Sequence, residues 1–197
     1  KVPSIDDDRV IRRFRNVIQA TLRTNFYQND KAGVAKSAIA IKVDSSKVDD
    51  LPLPRPMVEI FICSPDVEGV HLRFGKVARG GIRWSDRRED FRTEILGLMK
   101  AQNVKNTLIV PVGAKGGFVL RQAPTDRNEL RAAGDKYYQL FVEALLSVTD
   151  NVVDGKLVTP EGILHGEGPD PYLVVAADKG TAHLSDTANK VSMAAKF

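Results

Sequence analysis

The stretch from Val77 to Gly117 reads VARGGIRWSDRREDFRTEILGLMKAQNVKNTLIVPVGAKGG. It carries two glycine-flanked cations, Arg79 in A-R-G-G and Lys115 in G-A-K-G-G. Gly80 and Gly81 permit a sharp turn or a close backbone approach to a ligand. Beyond them, Ser85 or Asp86 is placed to cap a helix in which Ile95, Leu98, Met99 and Gln102 share one face, with Lys105 near its end. Thr107 to Val112 is a short apolar run expected to form a buried strand, and Pro111 marks where its pairing stops. Gly113 to Gly117 then reads as a loop at that strand's C-terminal end, the place where α/β sheets hold ligands.

The charge in this stretch is lopsided. Between Arg73 and Arg121 there are 11 basic and 4 acidic residues, whereas the whole 197-residue chain carries a net charge of only +4. From Ile95 through Arg121 there is no Asp or Glu. Cations gathered in a fold without local counter-charges are costly unless an anion arrives to pair with them, so a small anionic ligand is expected.

Working outward, Asp6 to Asp8 is an acidic helix start. Val10, Ile11, Phe14, Ile18 and Leu22 then recur at helical spacing. Ala38 to Val43, Val58 to Cys63 and Val70 to Phe74 read as strands, the last two as a hairpin through Ser64-Pro65-Asp66 and Gly69. Asp126 with Glu129 three residues on starts a long helix toward Thr149. Asn151 to Pro169 is rich in loop residues. Tyr172 to Ala177 is a last buried strand, and it ends in Asp178-Lys179-Gly180-Thr181 before a final helical segment. The order is αβββαβαβα, an α/β fold with a mixed sheet flanked by helices. Two of its strands end in charged glycine loops, so Lys115 and Asp178 meet if those strands lie side by side.

Composition narrows the class. Hydrophobic content of 43% and charged content of 27% are ordinary for a globular domain. No apolar run approaches the roughly 18 residues of a membrane span, so no membrane partner is expected. Aromatic residues are too sparse around the basic stretch for a base-stacking groove, which argues against nucleic acid. The single cysteine, Cys63, sits in an apolar strand and reads as a structural thiol, in keeping with a cytoplasmic setting. His71, His165 and His183 lack metal-ligand spacing, so no metal is expected. Neither a G-x-x-x-x-G-K-[ST] loop nor a G-x-G-x-x-G turn after a strand is present, so no dinucleotide fingerprint is visible.

HLRFGKVARGGIRWSDRREDFRTEILGLMKAQNVKNTLIVPVGAKGGF and PDPYLVVAADKGTAHLSDTAN resemble signature segments of the large-subunit bacterial class of NAD-specific glutamate dehydrogenases. The resemblance covers most of the chain from about Arg23 onward. It implies the substrate-binding domain of an amino-acid dehydrogenase without its Rossmann domain. Residues 1–35 would form an N-terminal helical segment, 36–182 the substrate domain, and 183–197 the start of a connection to a missing NAD-binding domain. The first residue is Lys1 and not Met, and a piece of a longer chain is expected.

The same resemblance implies roles. Lys115 and Asp178 match the family's catalytic lysine and aspartate. Arg79, ahead of Gly80-Gly81, stands where smaller relatives carry a lysine, and would hold the side-chain carboxylate of L-glutamate. Lys105, with Gln102 one turn before it, would hold the α-carboxylate. Hydride leaves the α-carbon, water attacks the iminium with help from Lys115, and Asp178 passes protons to and from the amine, giving 2-oxoglutarate and ammonium. NAD would be held mainly by the absent domain, so the piece alone would neither bind NAD well nor turn over. A homo-oligomer is implied for the full-length enzyme. A non-catalytic regulatory module that holds a dicarboxylate through the same cations is the competing reading.

Overall fold

The computed structural model describes residues 3–30, 32–105 and 112–197, with backbone alone for 103–105. The strand expected over Thr107 to Val112 lies outside the described residues, Val112 aside. The elements are α1 (Ile5–Ala20), β1 (Thr21–Thr24), β2 (Ile39–Asp44), β3 (Val58–Cys63), β4 (Val67–Arg73), β5 (Gly80–Trp84), α2 (Phe91–Lys105), β6 (Ala114–Leu120), α3 (Arg127–Leu146), β7 (Asn151–Val153), β8 (Lys156–Val158), β9 (Leu164–His165), β10 (Val175–Ala177) and α4 (Ser185–Ala194). Among the described residues, eight strands form one sheet in the order β10-β5-β6-β4-β3-β2-β1-β9, and β7 and β8 pair separately. Strands β10, β5 and β6 run parallel, and the rest of the large sheet is antiparallel, so the sheet is mixed.

Helices cover both faces of the sheet's centre, which is why β4 and β6 are buried along nearly their whole length. On one face Val70, Leu72 and Val119 pack against Phe91, Ile95, Leu96 and Met99 of α2. On the other, Val67, Ile82, Phe118 and Leu120 pack against Tyr138, Phe141, Val142 and Leu145 of α3. Phe118 lies at the centre of that second face. Its ring stacks on Trp84 at 6.1 Å and meets Phe141 at 5.8 Å and Tyr138 at 6.2 Å. Burying one such ring is worth about 1.5–3 kcal/mol. The Asp126 cap is present, accepting from the amides of Asn128 and Glu129 at 2.9 and 3.0 Å.

Gly134 fills a place in α3 that a larger residue would not fit. A methyl group there would overlap the six-membered ring of Trp84, coming within 2.8 Å of Cε3. Ala is otherwise the better helix former by about 1 kcal/mol. Gly134→Ala is nevertheless expected to destabilise the chain by about 1–3 kcal/mol, the usual cost of overpacking, and urea denaturation will show it as a lower midpoint.

Several local expectations need correction. Gly80-Gly81, expected as a turn, opens strand β5, and the helix expected to be capped by Ser85 or Asp86 begins only at Phe91. The first helix was expected to carry through Leu22, but α1 ends at Ala20, and β1 pairs with β2 from Thr21 onward. The reason lies in Arg23, which the sheet carries into a buried ionic cluster. Val10, Ile11, Phe14 and Ile18 are left exposed on α1. The polar stretch before β10 also holds short strands, with β9 pairing on β1.

That ionic cluster sits on the α3 face, between the sheet and the chain that leads into β10. Arg23 makes a two-pronged contact with Asp150 at 2.7 and 2.8 Å and reaches Glu167 at 2.7 Å. Lys42 contacts Glu167 and lies 2.6 Å from Asp170, and Arg73 pairs with Asp170 while donating to the Tyr172 carbonyl at 2.8 Å. Three cations meet three carboxylates, so the buried charges balance. Arg23, Lys42 and Arg73 lie on one sheet face because the register sets Arg23 opposite Lys42, and alternation carries Arg73 to the same side. His71, neighbouring Arg73 on that face, is fully buried. Burial first, and the Arg73 charge second, push its imidazole down to about 3, so it is neutral at physiological pH.

Candidate active site

Lys115 is the second residue of β6, not part of a loop after a strand as its glycines led one to expect. Nor are its strand and that of Asp178 adjacent, because β5 runs between them. The two charges meet all the same. Val175 to Ala177 pair with Gly80 to Ile82, and Ile82 pairs with Gly116 in the same parallel sense. Lys115 is thereby level with Gly81, and Asp178 falls one step beyond β10. Gly81 has no side chain to separate them, and Lys115 Nζ reaches the Asp178 carboxylate across it as an ion pair. A Cβ on Gly81 would come within 2.7 Å of the Ala177 carbonyl and 3.0 Å of Asp178 Cβ. Gly80 is pressed as closely against the Ala114 backbone. The close approach that these two glycines permit is therefore between strands.

Asp178 is well held. Its backbone N–H donates to Thr181 Oγ1 at 3.1 Å, and that hydroxyl donates to the Ile82 carbonyl at 2.6 Å, tying the turn after β10 to β5. The Lys179 amide donates to Asp178 Oδ1 at 2.6 Å. Burial works to raise the Asp178 carboxyl. The hydrogen bond from Lys115, that amide and the charges of Lys115 and Arg83 outweigh it and hold the carboxyl below the usual range.

Arg79 is exposed at the mouth of the same face. It bridges Gly113 two residues before the Gly81–Lys115 level, and its carbonyl accepts from Ala114 N at 3.0 Å and from Gln102 Nε2 at 3.1 Å. Gln102 thus ties the last turns of α2 to the start of β5 and β6. Lys105 is the final residue of α2, one turn further along the same helix edge, and its side chain lies outside the described residues. The structure therefore brings Lys115 and Asp178 together across Gly81, with Arg79 and Gln102 nearby at the starts of β5 and β6.

Sequence reasoning passed over Arg83, and it read Ser85 only as a helix cap and gave Glu94 no role at the site. Arg83 Nη1 lies 3.0 Å from Glu94 and Nη2 3.4 Å from Asp178, while Ser85 Oγ donates to Glu94 at 2.5 Å. The signal was the alternation within β5, which puts Arg79, Gly81 and Arg83 on one face. Among the described residues no group of His, Cys, Asp and Glu is arranged to hold a metal. None of the described helices is long and apolar enough to cross a membrane.

A lysine–carboxylate ion pair beside an exposed arginine has the chemical means for acid–base work on a small anion. The sequence comparisons agree with that class. The family model for the catalytic domain of bacterial NAD-glutamate dehydrogenase matches residues 1–197. An NAD-specific glutamate dehydrogenase of Halomonas elongata is 58% identical over 98% of this chain, and one of Pseudomonas aeruginosa is 55% identical over the same share. A Mycobacterium tuberculosis protein of the same name is 54% identical. The chain belongs to the bacterial NAD-glutamate dehydrogenase catalytic-domain family. It spans 12% of the length of the first two of these relatives and 13% of the third.

Proposed function

We propose that this chain is the substrate-binding part, of the amino-acid dehydrogenase type, of an enzyme that converts L-glutamate, NAD+ and water to 2-oxoglutarate, ammonium, NADH and a proton. The observation that carries the reading is the Lys115–Asp178 ion pair closing over Gly81 beside Arg79. Arg79 receives the side-chain carboxylate of glutamate as a planar fork. Lys105 receives the α-carboxylate, and Gln102 holds the helix end that presents it. With both carboxylates fixed, the α-carbon and its amine face Lys115 and Asp178, which supplies the orientational part of catalysis. Asp178 accepts a proton from the substrate ammonium and returns one to the departing amine. Lys115 orients the attacking water and stabilises the oxygen charge that develops at the α-carbon.

Among the described residues nothing fits a dinucleotide. No glycine-rich turn leads from a strand into a helix N-terminus. Gly80 and Gly81 open β5, and Gly116 and Gly117 lie inside β6.

The test uses the full-length protein with L-glutamate and with an amino acid lacking the side-chain carboxylate, such as 2-aminobutyrate. Arg79→Ala is expected to raise the KM for glutamate by about 10–100-fold, the worth of a hydrogen bond to a charged group. The weaker KM for 2-aminobutyrate stays unchanged. Equal losses for both substrates would refute the assignment of Arg79.

A further inference from the structure

Arg83 and Glu94 have no part in the roles assigned above, yet they adjoin the reacting pair. Arg83 uses one guanidinium nitrogen on Glu94 and the other on Asp178, and its side chain is only 18% exposed. Glu94 is fixed in turn by Ser85, whose own amide donates to the Phe118 carbonyl in the centre of the sheet at 2.9 Å. The result is a chain of alternating charge, Glu94–Arg83–Asp178–Lys115, anchored at the Glu94 end to the sheet through Ser85.

We propose that Arg83 is a positioning residue that holds the Asp178 carboxylate against Lys115 through the reaction, with Glu94 and Ser85 holding Arg83 in turn. This rests on the role proposed for Asp178. The reason is that Lys115 is not a constant partner. Once it turns to the water and the developing oxygen, Asp178 loses that counter-charge inside a largely buried site, where burial favours the neutral acid. A guanidinium does not give up its proton, so Arg83 remains a fixed cation while Lys115 is occupied. Its fork also fixes direction. With Oδ1 held by Arg83 and the Lys179 amide, Oδ2 is the oxygen left facing Lys115.

The test measures kcat and kcat/KM for glutamate oxidation against pH in the full-length protein carrying Arg83→Gln, Arg83→Lys or Asp178→Asn. Removing a nearby cation raises a carboxyl group, and the reaction needs Asp178 ionised. The acid limb of Arg83→Gln is therefore expected to move to higher pH by about one unit, with kcat reduced and KM near wild type. Arg83→Lys restores the position of the limb but not the full kcat, because one ammonium cannot span both carboxylates. An unmoved limb in Arg83→Gln, whatever its loss of rate, overturns the proposal. Should Arg83→Gln fail to fold, Glu94→Gln carries the test: kcat is expected to fall at constant KM, and an unchanged kcat overturns it. Asp178→Asn at the wild-type rate would overturn the role of Asp178 and this proposal with it. An inactive Asp178→Asn beside an unmoved Arg83→Gln limb would remove Arg83 alone.

Discussion

Lys115→Ala in the full-length protein is expected to lower the kcat for L-glutamate oxidation by about 10²–10⁴-fold, the range that a positioned acid–base group supplies. The KM for glutamate stays close to wild type, because both substrate carboxylates are assigned to other residues. The contact with Asp178 also admits a purely structural explanation, and Lys115→Arg separates the two. Arginine keeps the positive charge and can keep the ion pair across Gly81, but its bulkier planar head cannot place a donor where the ammonium meets the water and the developing oxygen. If Lys115 does chemistry, Lys115→Arg is nearly as slow as Lys115→Ala. If Lys115 only braces Asp178, Lys115→Arg recovers most of the rate. Steady-state kinetics of the two variants side by side decides, and recovery by arginine would refute the catalytic assignment.

How much of this was legible beforehand depends on the kind of signal. Local chemistry read well. The Asp126 cap, the apolar face of α2 and the β3–β4 hairpin all follow from residue types at fixed short spacings. Lys115 and Asp178 were legible as a pair because each stands out beside glycine at the edge of an apolar run. Their geometry was not legible. Glycines on both sides of Lys115 suggest a loop, yet in β6 they are strand residues whose missing side chains make room for α2 and for β5. The insertion of β5 between the two partner strands is a matter of long-range order that no local pattern encodes. Arg83 was passed over because Gly80-Gly81 reads as a turn leading to a helix, and nothing local shows that Gly80–Trp84 is a strand with a carboxylate brought beside it. Arg23 was hidden in the same way. It continued a helical pattern in the sequence, and only pairing with β2 and a carboxylate 127 residues away makes it part of the sheet.

The Arg23 cluster carries the largest stability prediction. Arg23 and Asp150 are each about 1% exposed, and each is satisfied chiefly by the other. Removing one partner of such a pair leaves a buried charge uncompensated, so Arg23→Leu is expected to cost about 3–5 kcal/mol in urea denaturation of the 197-residue chain. The pH dependence gives an independent check. Burial works to raise the Asp150 carboxyl. The hydrogen bonds from Arg23 and the Asp170 amide, with smaller help from Thr159, overcome it and hold the group at about 2, below an unperturbed carboxyl of about 3.9. A depressed carboxyl stabilises the fold fully above its unfolded value and loses that contribution as pH falls through its folded one, here about 2 kcal/mol between roughly pH 4 and pH 2. In Arg23→Leu the depression is gone, and burial instead favours the protonated acid. The wild type therefore loses stability on acidification over a range in which the variant's unpaired carboxyl is relieved by taking up a proton. The difference between the two proteins should narrow as the pH is lowered from 7 toward 3. A constant difference over that range would mean that Arg23 contributes through packing of its side chain and not through its charge.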